Sequence, residues 1–313
     1  MNIENNNKSF FFRFLIYQNE RFPFLAHGVL ISAFSFSAIA YSRLCRNADG
    51  FVDMKEFFIC IFNTITLFFL VRIFDEFKDK EDDALYRKYL PVPRGLISLK
   101  ELKTVGIITF LLQLIVNIIF APKMLILFFI IIGYLLLMSK EFFATEWLKK
   151  HQFWYVVSHM FIIPLVDIFA SGFDWLLEGA KAPNGLILFF AVSYMNGIVL
   201  EIGRKIKTPE MEELGVLSYT HQLGSKRAPL VWLLVLLSTL LLAFSASKFA
   251  HHSSIAYLIL FGLFIICSIP AILFVIKYSK KSAKFIEYSS ALWTFGMYLT
   301  LGGIPMLLKL LFD

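Results

Sequence analysis

Long apolar runs separated by short charged islands set the pattern of this chain. Nine segments approach the roughly 20 residues a helix needs to cross a bilayer: 23–43, 55–74, 101–120, 123–140, 151–170, 185–204, 228–247, 255–277 and 288–310. They are far longer than the alternating strands of a membrane barrel, so helices must satisfy the backbone in lipid. The pattern predicts an all-α fold, a polytopic membrane helical bundle of about nine transmembrane helices. Ala121-Pro122-Lys123 is all that joins segments three and four, which predicts a tight helical hairpin. Residues 1–22 start polar and then carry a short apolar patch interrupted by Arg13, with no small-residue cleavage site after it. They read as an interfacial N-terminal segment ahead of a single transmembrane domain, 23–313.

Composition strengthens this picture. Hydrophobic residues make up 58% of the 313, Phe alone contributes 36, and the mean hydropathy is +0.71, a balance suited to a chain that meets lipid along much of its length. Cys45, Cys60 and Cys267 are scattered and share no metal-type spacing. The net charge of +7 lies in short loops, so it reads as a membrane-orientation signal, and no nucleic-acid partner is expected. With the N-terminus inside, the inner loops hold twenty-three of the thirty Lys and Arg residues. That bias places the N-terminus and both charged islands in the cytoplasm and the C-terminus outside.

The first island is 72–98, in which twelve of twenty-seven positions are charged. Asp75, Asp79 and Asp83 recur every four residues, so a continuing helix projects them from one face. Carboxylates so spaced repel unless a cation sits between them, which makes a divalent metal the first suspicion. The plainer reading is a solvated helix end laced with Glu76–Lys80 and Lys78–Asp82 pairs. The second island is 193–227, with Asn196, Glu201, Arg204 and Lys205 near the end of span six. Gly203, Pro209 and Gly215 suggest a break and re-entry there, and Glu210, Glu212 and Glu213 suit a charged connector. Glu201 differs, because an ionised group near the apolar part of a span needs a partner. Asn63, Asn117, His159 and Asp167 are further polar residues within spans, candidates for a cavity lining or for interhelical hydrogen bonds.

Two acidic islands, after spans two and six of nine, resemble the UbiA-type intramembrane prenyltransferases, the 4-hydroxybenzoate polyprenyltransferase superfamily. Asp75-x3-Asp79-x3-Asp83 followed by Pro91-Val92-Pro93-Arg94-Gly95 is similar to that family's first motif. Tyr134 and Lys140 resemble its Tyr…Lys pair, and Glu201 through Gly215-Val216-Leu217-Ser218 its second motif. The likeness covers nearly the whole chain in order. It departs in three places: Asp75 stands where the family usually has Asn, Asp82 competes with Asp83 for the third position, and the second motif reads Glu-x-x-Arg-Lys in place of paired aspartates.

The resemblance implies Mg2+-dependent transfer of a prenyl group from a prenyl diphosphate donor to a small-molecule or lipid acceptor, among membrane lipids. It implies Asp75, Asp79, Asp83, Lys140 and Glu201 as catalytic residues, with Asp75, Asp79, Asp83 and Glu201 as metal ligands. Arg72, Arg94, Lys140, Asn196, Arg204 and Lys205 would bind the diphosphate, as Lys and Arg commonly do. Phe68, Phe69, Phe128, Phe129, Phe189 and Phe190 are candidates to contact the isoprenoid, although packing or lipid contact is the commoner fate of such residues. The basic second island hints at a phosphorylated acceptor. The competing classes are a membrane transporter, which would carry its charges at mid-membrane, and a non-catalytic membrane protein that binds a lipid phosphate.

Overall fold

The computed structural model describes residues 9–213, 215 and 218–312. Among the described residues helices alone form the regular structure, and nine helices are long and apolar enough to cross a membrane. Eight of these lie within about five residues of the apolar runs, and the ninth, Lys280–Phe312, starts eight residues before the run at 288–310. The protein is an integral, multi-pass, all-α membrane protein. Its chain forms two compact units, residues 1–32 with 54–147, and residues 33–53 with 148–313.

The first unit holds α1 (Phe10–Arg21), the start of α2 (Phe24–Arg46), α3 (Met54–Lys78), α4 (Lys80–Tyr86), α5 (Leu99–Phe120) and α6 (Leu125–Ser139). α1 is too short to span, and its two faces differ. Phe10, Phe11, Phe12 and Leu15 are exposed, while Tyr17 is buried in a cluster with Phe22, Phe69, Ile73 and Leu102. Arg13 ties α1 to α5 through Glu101 (2.6 Å) and to the Leu96 carbonyl (3.0 Å). Ser98 starts α5 with a capping box, exchanging hydrogen bonds with Glu101. α3 packs on α5 through an amide ladder: Asn117 donates to Asn63 (2.7 Å), and Gln113 donates to Thr66 (2.7 Å). Asn63 and Asn117 are thus interhelical hydrogen-bond partners. One 3-10 turn, Pro122–Met124, links α5 to α6, the hairpin that the proline predicts.

The second unit takes the rest of α2, with α7 (Thr145–Lys150), which begins at its edge, α8 (Gln152–Met160), α9 (Ile162–Trp175), α10 (Leu186–Arg204), α11 (Tyr219–Leu223), α12 (Arg227–Phe249), α13 (Ser254–Ile276), α14 (Lys280–Tyr298) and α15 (Ile304–Phe312). α10 is central, packed on α9, α12 and α14. Two spans are irregular. Span five breaks at Phe161 between α8 and α9, and span nine contains a π-helical turn, Leu299–Gly303. Of the aromatics singled out for the isoprenoid, Phe69, Phe128 and Phe189 are core residues of their own units, whereas Phe129 is exposed.

Candidate active site

The first island starts in the last turns of α3. That helix runs to Lys78, pauses at Asp79 (φ −90°, ψ 6°) and restarts as α4. Its hydrogen-bond ladder passes through the pause: the Asp79 N–H donates to the Asp75 carbonyl (2.9 Å) and the Asp83 N–H to the Asp79 carbonyl (2.8 Å). The three aspartates therefore follow one another a turn apart.

Their side chains divide into a pair and a single. Asp75 and Asp79 both approach the Lys78 ammonium, at 3.5 and 3.9 Å. Asp83 is buried and takes Arg87 at 2.6 Å, because a carboxylate removed from water needs a cation of its own. Asp82, its competitor for the third position, is exposed. Burial pushes the Asp79 carboxyl up from its ordinary value, the Asp75 and Asp83 charges add to this, and Lys78 opposes it. Burial raises Asp83 as well, against the pull of Arg87. Among the described residues, no three His, Cys, Asp or Glu side chains gather where one metal ion could be held.

The expected Glu76–Lys80 and Lys78–Asp82 pairs give way to others. Glu76, only 1% exposed, binds Arg21 of α1 (2.7 Å) and Arg72 (3.2 Å). Arg72 also lies 3.9 Å from Asp75. Arg94 sits in the proline turn, whose backbone closes from Arg94 N–H to Leu90 O (3.0 Å) and from Leu96 N–H to Pro91 O (2.9 Å). Its guanidinium grips Glu20 through two hydrogen bonds, 2.9 and 2.7 Å, and donates to the Tyr89 carbonyl. Lys140 is exposed at the end of α6, where Glu141, Phe142 and Phe143 follow in left-handed conformation (φ 47°, 53° and 59°). Three such residues in a row are strained for L side chains, and Phe142 stacks edge-on against Tyr134 (5.4 Å).

The second island begins in the last turn of α10. Glu201, 3% exposed, is held by Arg204 and by Lys205 (2.8 Å). Gly203 lets this turn approach α12 and α14: a Cβ there would lie 2.0 Å from Ser290 Oγ and 3.1 Å from Trp232 Nε1. The chain then folds back, Tyr219 N–H donating to the Lys205 carbonyl (3.0 Å) and Lys207 N–H to Thr220 Oγ1 (2.7 Å). Lys207 pairs with Glu213 (3.1 Å), Glu212 accepts from Ser218, and Glu210 accepts from Thr208 (2.7 Å). These three acids are engaged within their own connector. Val216 and Leu217 of the expected motif lie outside the described residues, as do residues 1–8 of the N-terminal segment. Asn196 precedes Glu201 by five residues, about 140° around the helix, and lies beside Tyr298 of span nine.

The family model for UbiA prenyltransferases matches residues 33–295. The chain belongs to the UbiA prenyltransferase family. It is therefore a prenyltransferase of the membrane, and its family implies a prenyl diphosphate donor and an acceptor. The fold of this UbiA-family chain is similar to a solved structure of digeranylgeranylglyceryl phosphate synthase, with a TM-score of 0.57 and 19% identity over 87% of this chain and 93% of that one. No curated protein matches.

Sequence reading passed over Glu20 and Arg21 and paired Glu76 with Lys80, whereas Arg21–Glu76 and Glu20–Arg94 tie α1 to the first island. The signal available was the polar run Gln18–Arg21, one residue short of Pro23 and next to an apolar patch too short to span. The donor set suits Mg2+ in one respect: Asp75 and Asp79 already share a cationic group, and Mg2+ takes only one or two carboxylates besides phosphate and water.

Proposed function

We propose that this UbiA-family enzyme carries out Mg2+-dependent transfer of a prenyl group to a phosphorylated acceptor, with residues 23–313 acting as one catalytic domain. The observation that carries the metal reading is the approach of Asp75 and Asp79 to one ammonium group, a position where positive charge sits between two carboxylates. Bound there, Mg2+ would supply Lewis-acid stabilisation to the departing diphosphate. The chain's own residues do the rest. Asp79, whose burial makes it reluctant to ionise alone, and Asp75 would hold the ion in the position the Lys78 ammonium takes between them. Asp83, which holds Arg87, would be the third carboxylate, a role open to the exposed Asp82 as well.

Arg72 and Arg94 are the diphosphate clamps of the first island, since each is already aligned by a carboxylate that a phosphate can replace. Lys140, exposed beside the strained turn, is a third cation for the same group. In the second island Glu201 orients Arg204 and Lys205, which recognise an anionic group; this role suits Glu201 better than metal ligation, because two cations occupy it. The basic character of this island supports a phosphorylated acceptor, and the solved neighbour is named for a glyceryl phosphate product. The excess of Lys and Arg in alternate loops supports a cytoplasmic N-terminus and cytoplasmic islands.

Purified protein supplied with Mg2+, a prenyl diphosphate and extracted membrane lipids is expected to release pyrophosphate and to yield a lipid heavier by one prenyl unit. Asp79→Ala, expressed and melting like the parent, should lose turnover by about a hundredfold or more, the scale of a lost Lewis acid. Undiminished turnover in that variant would end the metal assignment.

A further inference from the structure

Two aspartates on α9, Asp167 and Asp174, are seven residues apart and lie on one face of the helix. Both are fully buried, yet their surroundings are opposite. Asp174 accepts hydrogen bonds from Ser42 (2.6 Å), Arg43 (2.9 Å) and Arg46 (2.6 and 3.0 Å). Asp167 has Ser193 of α10 and Tyr298 of α14 beside it, with Asn196 next to Tyr298. Apart from Ser193, no side chain among the described residues offers Asp167 a hydrogen bond, and the Asn196 amide has no partner there besides Tyr298. No ion pair reaches Asp167 from a described residue.

An ionised carboxylate at this depth needs positive charge close by. The groups around Asp167 offer oxygen: its own carboxylate, the Ser193 and Tyr298 hydroxyls and the Asn196 amide oxygen. The backbone nearby is also irregular. Span five breaks at Phe161, six residues before Asp167, and the π turn of span nine starts directly after Tyr298. Breaks of this kind occur inside membrane proteins where they are buried in protein or line a polar site. One negative charge in a low-dielectric interior is balanced by one positive charge. A divalent ion would leave a net charge buried, and Mg2+ gives up its waters reluctantly.

We propose that Asp167, Ser193, Asn196 and Tyr298 form a sodium site inside the second unit, joining spans five, six and nine. The ion neutralises Asp167 as Arg43 and Arg46 neutralise Asp174. The proposal stands apart from prenyl transfer and is read by melting, so loss of turnover leaves its outcome intact.

The test is thermal unfolding of the purified full chain in NaCl, KCl or choline chloride at equal ionic strength. A ligand that binds only the folded state raises the melting temperature with its concentration. The parent should melt higher in NaCl than in the other two salts, and the gap should saturate. Asp167→Asn should erase the gap, and Ser193→Ala should raise the half-saturating Na+ concentration about tenfold, the weight of one lost ligand contact. Equal melting of the parent in all three salts overturns the proposal, whether or not the variants fold. So does a sodium response that survives unchanged in Asp167→Asn or, if that variant does not fold, in Ser193→Ala. An Asp167→Asn chain that melts like the parent, neither responding to sodium, shows that a proton alone accompanies Asp167.

Discussion

Glu76 accepts the guanidinium groups of Arg21 and Arg72 in the last turns of α3, so the first island is braced by a residue whose helical spacing points to Lys80 instead. Its partners come from fifty-five residues earlier and from one turn back along its own helix. His252, between α12 and α13, shows the same dependence on surroundings. Burial pulls its imidazole down from 6.5 to about 4. The folded chain therefore favours the neutral ring, and stability is expected to fall as pH drops below 6.5 and to level off near 4. Melting temperatures across that window should show the slope in the parent and a shallower one in His252→Asn. Equal slopes would place the loss on other groups. From the sequence His252 is one of two adjacent loop histidines, and burial alone separates it from the exposed His251.

At the scale of elements, helix ends carry most of what periodicity could not supply. The period of four in Asp75, Asp79 and Asp83 survives because the backbone ladder crosses the pause at Asp79. Which of these acids share a cation was settled by Lys78 and Arg87, through burial. Span nine makes the same point. Its apolar run marks a helix, whereas the π turn and its packing on α2 are tertiary features. A Cβ on Gly302 would lie 2.2 Å from the Ser37 carbonyl oxygen, backbone against backbone, while one on Gly303 would meet side chains alone, Leu299 at 3.0 Å and Ser37 Oγ at 3.5 Å. Gly302→Ala is therefore expected to destabilise the fold by about 1–3 kcal/mol, the usual range for overpacking, and Gly303→Ala by less. Thermal or denaturant unfolding of the two variants should show that order, and the reverse order would refute the close approach.

For the whole molecule, orientation is the property with the widest consequence. If the basic loops face the cytoplasm, a membrane-impermeant thiol reagent applied to intact cells should label Lys181→Cys and spare Lys80→Cys, in a chain whose half-buried native thiol at Cys45 has been replaced. Both positions are exposed. Labelling of Lys80→Cys alone would invert the topology and place the charged islands on the outer side.

The sequence by itself determined that the chain crosses the membrane about nine times as helices, because only such runs bury their backbone polar groups in lipid. It also marked where charge interrupts those runs, and so which helix ends to suspect. Tertiary structure alone decided which charges are paired: Glu76 with Arg21, Arg94 with Glu20, Asp174 with Arg43 and Arg46, and Asp167 with no cation among the described residues. A charge's worth depends on its dielectric surroundings and its nearest opposite charge. Both are set by residues distant along the chain, which local pattern cannot bring together.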